Sequence, residues 1–209
     1  MPLLLGLTLI TCLSFFSLFH FHHAGLNSFW GWMIGQLIFL NGFVFLSDPK
    51  KFKLWLEDFR GRLGLKIVIG LVASIILYVI FYFGRFFLGL LRSDTLEQIH
   101  GVYSYREGMT SWQLGLLLSL IIGPGEEILW RWFLQAEWSK LVGRFPSFLM
   151  VTGFYTLVHF STKNYALVLA AFVCGLFWGL LFLRFRSIVV NMVSHSLWDL
   201  VIFVLLPLS

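Results

Sequence analysis

Long apolar runs constrain this chain more than any other feature. Seven are readable, over residues 3–19, 26–46, 67–91, 112–135, 148–160, 165–183 and 188–206. A helix needs about 20 mostly apolar residues to cross a bilayer, which most of these runs match; 148–160 is short unless it starts before Pro146. Only 12% of residues are charged and mean hydropathy is +0.87, against about 25% charged in soluble domains. The expected fold is therefore an all-α, polytopic transmembrane helical bundle of about seven spans (six to eight). The 24 Phe and nine Trp read as lipid-facing bulk and interfacial belts, with no cofactor role. Cys12 and Cys174 both lie inside apolar runs, so no disulfide framework is expected. The first run has no basic flank and reads as a retained span rather than a signal peptide.

Lys and Arg set the orientation. Lys50, Lys51, Lys53, Arg60, Arg62 and Lys66 follow the second run, Lys140 and Arg144 the fourth, and Arg184 and Arg186 the sixth. The other side has only Arg92, Arg106 and Lys163. The positive-inside rule then puts the N-terminus in the cytoplasm and the C-terminus outside. The net charge of +5 reports these loops rather than a nucleic-acid partner; the partners implied are membrane lipid and a peptide or protein at the membrane. Within 47–64, Ser47 or Asp48 can cap a helix with Pro49 in its first turn. Phe52, Trp55, Leu56, Phe59 and Leu63 then recur at helical spacing among basic residues. This pattern predicts an amphipathic interfacial helix on the cytoplasmic leaflet. Residues 93–100 read as a short outer helix ended by Gly101. His20, His22 and His23 cluster in the first loop with no acid near them in sequence and read as a wet interface, not a metal site. The chain divides into N-terminal spans with the amphipathic loop (1–110) and a helical core (111–209), within one membrane unit.

Inside the fourth run lies Gly123-Pro124-Gly125-Glu126-Glu127-Ile128-Leu129-Trp130-Arg131. One charge at mid-bilayer costs about 2.5–3.5 kcal/mol on insertion scales, so three charges in six residues are functional or paired. Glu127 and Arg131 stand one helical turn apart and can form an ion pair. Glu126 points about 100° away and stays available. Pro124 lacks an N–H, so Gly-Pro-Gly predicts a kink that opens the helix to water and substrate beside Glu126.

Few ionisable residues answer it from other runs. His159 is in the fifth; His195 and Asp199 share a face of the seventh, and Asn191 extends that stripe. At 1.5 Å per residue from the cytoplasmic ends, Glu126 lies about 14 Å deep, His159 about 17 Å and His195 about 11 Å, at one level in the cytoplasmic half. A carboxylate with a histidine can bind and deprotonate water, and a second histidine with a hydrogen-bonding neighbour can steady an oxyanion. This chemistry hydrolyses a peptide bond without a covalent intermediate or a cofactor. The alternative is zinc held by Glu126, His159 and His195 with Glu127 as base, although no HExxH motif is present.

Taken together, Glu126-Glu127-x-x-x-Arg131, then His159, then His195-x-x-x-Asp199 resembles the three-motif signature of the CPBP family. These are the type II CAAX prenyl endopeptidases and their bacterial relatives, including bacteriocin-processing and immunity (Abi) proteins. The resemblance covers roughly 110–205. It implies an intramembrane endopeptidase in which Glu126 and His159 activate water, His195 and Asp199 form the oxyanion site, and Glu127 with Arg131 braces it. Three positions depart from the family pattern. Tyr155 stands where Phe is common, Trp132 follows the arginine where Gly is frequent, and Asp199 stands where Asn is often found. An ionised Asp cannot donate to an oxyanion. Either Asp199 is protonated, or it accepts from His195 and Asn191 supplies the donor. Two competing classes remain. A non-catalytic scaffold or bacteriocin-immunity protein would leave the buried acids and histidines unused. A proton-coupled transporter would be expected to show paired broken helices, and only one Gly-Pro-Gly break is visible.

Overall fold

A computed structural model of the chain describes residues 1–21 and 29–208. In chain order the helices are α1 (Pro2–Phe21), α2 (Gly31–Ser47), α3 (Pro49–Arg60), α4 (Leu63–Leu91) and α5 (Thr95–Tyr103). A continuous helical run follows, made of α6 (Ser111–Leu117), wide turns over Leu118–Ile122, α7 (Gly123–Glu127), wide turns over Ile128–Gln135, and α8 (Ala136–Val142). Then come α9 (Arg144–His159), α10 (Tyr165–Phe185) and α11 (Ile188–Leu200), the last continued by wide turns over Val201–Leu205. No strand occurs among the described residues, so the expected all-α class holds. His22, His23 and the start of the second apolar run lie outside the described residues.

Local chemistry places the helix starts. Asp48 accepts from the Lys50 amide at 3.1 Å with Pro49 in the first position, so Asp48 rather than Ser47 caps α3. A reciprocal Thr110–Gln113 capping box starts α6. The Asn164 side chain accepts from the Leu167 amide at 3.0 Å, and Ser187 from the Val190 amide at 3.4 Å. Gly143, at φ 89°, takes a positive-φ conformation between α8 and α9 that a side chain would strain. Pro146 falls in the first turn of α9, where no backbone donor is required, so that helix starts before the proline. Gly101 does not end α5, which runs on to Tyr103. At the neighbouring corner the Arg92 guanidinium makes hydrogen bonds of 3.0 and 3.2 Å that hold the Asp94 carboxyl below its usual range.

Four helices among the described residues are long and apolar enough to cross a membrane: Pro2–Phe21, Leu63–Leu91, Tyr165–Phe185 and Ile188–Leu205. Of the remaining apolar runs, Gly31–Ser47 has 17 residues and Arg144–His159 has 16, while 111–142 is divided by its wide turns and carries the charged stretch. Half of the apolar window of Ile188–Leu205 is buried, against 22% of that of α4. The α11 helix is therefore central and α4 peripheral.

The Gly-Pro-Gly segment stays helical between two stretches of wide turns. Helix α7 runs through Pro124, and the turn before it widens, which absorbs the missing donor. The glycines also serve close packing. A Cβ on Gly123 would stand 3.1 Å from the backbone N and Cα of Ser196 on α11, and one on Gly125 would stand 3.2 Å from Leu37 on α2. Asn41 also donates to the Gly125 carbonyl at 3.0 Å. Gly123→Ala must push α11 away and is expected to destabilise by about 1–3 kcal/mol, read as a lower melting temperature in detergent.

Helix α3 has no buried residue but is fastened at both ends of the core. Asp58 accepts from the Val189 amide at 3.0 Å and the Ser187 hydroxyl at 2.9 Å, capping α11, and pairs with Lys66 at 2.6 Å. Lys51 pairs with Glu137 on α8. Phe52, Trp55 and Phe59 form one aromatic row, with Trp55 centroids 5.6 Å from Phe52 and 5.0 Å from Phe59.

Candidate active site

Three elements that the sequence singled out converge. Glu126 and Glu127 come from α7, His159 from the end of α9, and Asn191, His195 and Asp199 from α11; all are buried. The two glutamates divide as helical geometry requires. Glu127 is fully buried, and its Oε1 accepts from Arg131 Nη1 at 2.9 Å and from His195 Nδ1 at 2.8 Å. Its Oε2 accepts from Asn191 Nδ2 at 2.9 Å. A carboxylate with three donors is compensated for its burial. Glu126 points elsewhere and takes one bond, from the Tyr155 hydroxyl to Oε2 at 2.9 Å.

The histidines are oriented by the acceptors they face. His159 Nδ1 lies 2.7 Å from the Tyr155 carbonyl, which only accepts, so Nδ1 carries the hydrogen and the neutral ring offers its Nε2 lone pair. His195 Nδ1 likewise donates to Glu127, and its Nε2 faces Asp199 Oδ2 at 3.5 Å, too long for a firm hydrogen bond. Trp178 from α10 stacks on His195 with centroids 3.6 Å apart. The Arg131 guanidinium stands over both the Tyr155 ring, at 4.9 Å, and Trp178, at 5.5 Å. These contacts make Tyr155, Arg131, Trp178 and His195 one continuous stack.

Glu126, Tyr155, His159, His195 and Asp199 line one cavity of about 270 Å³. Its other walls are mostly apolar, with Arg85 of α4 among the exceptions. Glu127, Arg131 and Asn191 stand behind the wall and hold it. The cavity extends to the bundle end marked by Phe19, Arg85, Ala166 and Leu208, opposite α3. Ile80 on α4 and Leu169 on α10 border it with 42% and 44% of their surfaces exposed, which opens it towards the bundle exterior.

One expectation changes. Asn191 was to supply an oxyanion donor if Asp199 accepts, but its amide hydrogens go to Glu127 and, at 2.8 Å, to the Trp178 carbonyl. No three His, Cys, Asp or Glu side chains among the described residues converge as metal ligands, so Glu126, His159 and His195 as placed do not fit a zinc ion. Sequence reasoning read Tyr155 only as an aromatic shape and missed its hydroxyl. Its spacing, one turn before His159, was the available signal. Trp178 gave no signal at all, because only packing brings it to His195.

An all-helical membrane bundle with acids and histidines on the wall of an interior cavity is an arrangement suited to hydrolysis away from bulk water. Residues 108–201 match the family model described as type II CAAX prenyl endopeptidase Rce1-like. Over that segment, which contains every residue of the site, the resemblance read from the motifs is shown, and the family is one of membrane proteases. No curated protein and no solved structure matches the chain.

Proposed function

We propose that the protein is an intramembrane endopeptidase that hydrolyses peptide bonds of membrane-associated substrates with water activated by Glu126 and His159. The observation that carries this reading is the division of the two glutamates. Glu127 is bound by three donors behind the wall, while Glu126 stands on the cavity wall with one hydroxyl on it and the His159 Nε2 lone pair on the same wall. In this mechanism water adds to the scissile carbonyl as its proton passes to Glu126, which later protonates the leaving amine. His195 and Asp199 line the oxyanion side, and Glu127 with Arg131 fixes His195. No metal is required of these residues.

The cations gathered at the α3 end support an orientation with that end and the N-terminus in the cytoplasm. The aromatic row of α3 then lies in the leaflet interface, and the shorter apolar helices complete a bundle of about seven spans. Depth locates residues and not the mouth of a cavity, so access is read from the exposed walls. The exposed Ile80 and Leu169 mark a lateral route for a lipid-embedded segment. Cleavage by purified protein in proteoliposomes, with and without chelator, tests the reading. Chelator-insensitive cleavage is expected; activity lost to chelator and restored by zinc would overturn the metal-free mechanism, and no cleavage of any peptide would overturn the protease itself.

A further inference from the structure

We propose that the Tyr155 hydroxyl, together with His195 Nε2, donates to the oxyanion of the tetrahedral intermediate. The inference rests on Glu126 as the base and follows from an inventory of donors around it. Glu126 accepts as the base, and Asp199, ionised beside a cationic His195, only accepts. Asn191 has spent both amide hydrogens behind the wall. The His159 Nδ1 hydrogen belongs to the Tyr155 carbonyl. The Trp178 indole donates to Ser194 at 3.2 Å, and the Trp198 indole nitrogen is sealed from the lumen. At the far end, Tyr103 donates to the Ile202 carbonyl at 2.9 Å, Trp30 Nε1 to the Tyr105 carbonyl at 2.8 Å, and Arg85 marks the end of the cavity. Beside Glu126 the donors left are the Tyr155 hydroxyl and His195 Nε2, which carries a hydrogen when the ring is the cation between the Glu127 and Asp199 carboxylates.

Position favours the same pair. The hydroxyl is 2.9 Å from Glu126 Oε2, where the attacking water must also bind. The attacking oxygen and the oxyanion share one carbon, so a donor at the base lies close to both. Arg131 braces the two donors in one stack, over Tyr155 on one side and, through Trp178, against His195 on the other. That rigidity is what a preorganised oxyanion site requires.

The steps balance. In the resting site Tyr155 donates to the Glu126 carboxylate. Water attacks the carbonyl carbon, its proton passes to Glu126, and the carbonyl π pair moves onto oxygen. A protonated Glu126 is a weaker acceptor, so the hydroxyl turns to the oxyanion. Collapse re-forms the carbonyl and breaks the C–N bond, whose pair takes the proton from Glu126. The products are a carboxylic acid and an amine; the acid proton then passes to the amine, giving a carboxylate and an ammonium, and Tyr155 returns to the Glu126 carboxylate.

The test uses the full chain in proteoliposomes. Wild-type protein is first given a proteome-derived peptide library read by mass spectrometry. One cleaved peptide is made fluorogenic, and the aldehyde ending at its scissile carbonyl is synthesised; its hydrate mimics the tetrahedral intermediate. Tyr155→Phe keeps the ring and its stack. We expect kcat to fall about 100-fold, the loss typical of one oxyanion donor, with KM and melting temperature little changed and the aldehyde Ki raised by a similar factor. A kcat fall under tenfold, or an effect confined to KM, overturns the assignment. A fall in kcat with unchanged Ki also overturns it, because Tyr155 then only positions Glu126. Failure of the underlying reading looks different: no library peptide is cleaved, or Glu126→Gln stays active.

Discussion

Glu126→Gln is expected to abolish peptide cleavage while leaving the melting temperature of the protein unchanged. The substitution keeps the side chain's size, and the amide oxygen still accepts from Tyr155, so the 2.9 Å contact that seats the residue survives. What is lost is the capacity to take a proton from water. General-base catalysis contributes about 10²–10⁴-fold, enough to drop a slow membrane protease below detection. The measurement is initial cleavage rate in proteoliposomes beside a thermal melt of the same preparation. Activity within a factor of a few of wild type would remove Glu126 from the chemistry and favour a scaffold or immunity role for this bundle.

The neighbouring residue should behave in the opposite way. Glu127→Ala strands Arg131, which is 2% exposed, and leaves His195 and Asn191 without their shared acceptor. Removing one partner of a buried ion pair costs about 3–5 kcal/mol, chiefly because the remaining charge is uncompensated. The expected result is a large fall in melting temperature or in the yield of folded protein. Activity should be lost with it, because His195 Nδ1 loses the acceptor that orients the ring. A melting temperature equal to wild type would mean that water or lipid compensates Arg131 and that the triple-donor arrangement carries little stability. Adjacent acids with the same chemistry are thus separated by two instruments, one reading rate and the other reading folding.

Much of this site was legible before any coordinates. Spacing of i and i+4 paired Glu127 with Arg131, and that pair is present at 2.9 Å. The same spacing put His195 and Asp199 on one face. Helical rotation turned Glu126 away from its neighbour. These are consequences of local helix geometry, which sequence encodes directly. The Gly-Pro-Gly segment was legible only in part, for a complementary reason. Its sequence states that the helix is weak there but not what approaches it, and Ser196 and Leu37 are the neighbours that required the glycines. The donor role expected of Asn191 failed likewise, because the Trp178 carbonyl that takes one of its hydrogens comes from another helix.

By itself the sequence determined the membrane, the all-helical class, the charged stretch and the residues that answer it, since each depends on composition or on spacing along one helix. Only the tertiary structure decided how those residues are used. It put Tyr155 on Glu126, stacked Trp178 on His195, gave Glu127 three donors and Glu126 a cavity, and turned that cavity away from α3. The physical reason is that hydrogen bonds and stacking between helices depend on relative position within a few tenths of an ångström. Packing sets that precision, and no periodicity along a single chain records it.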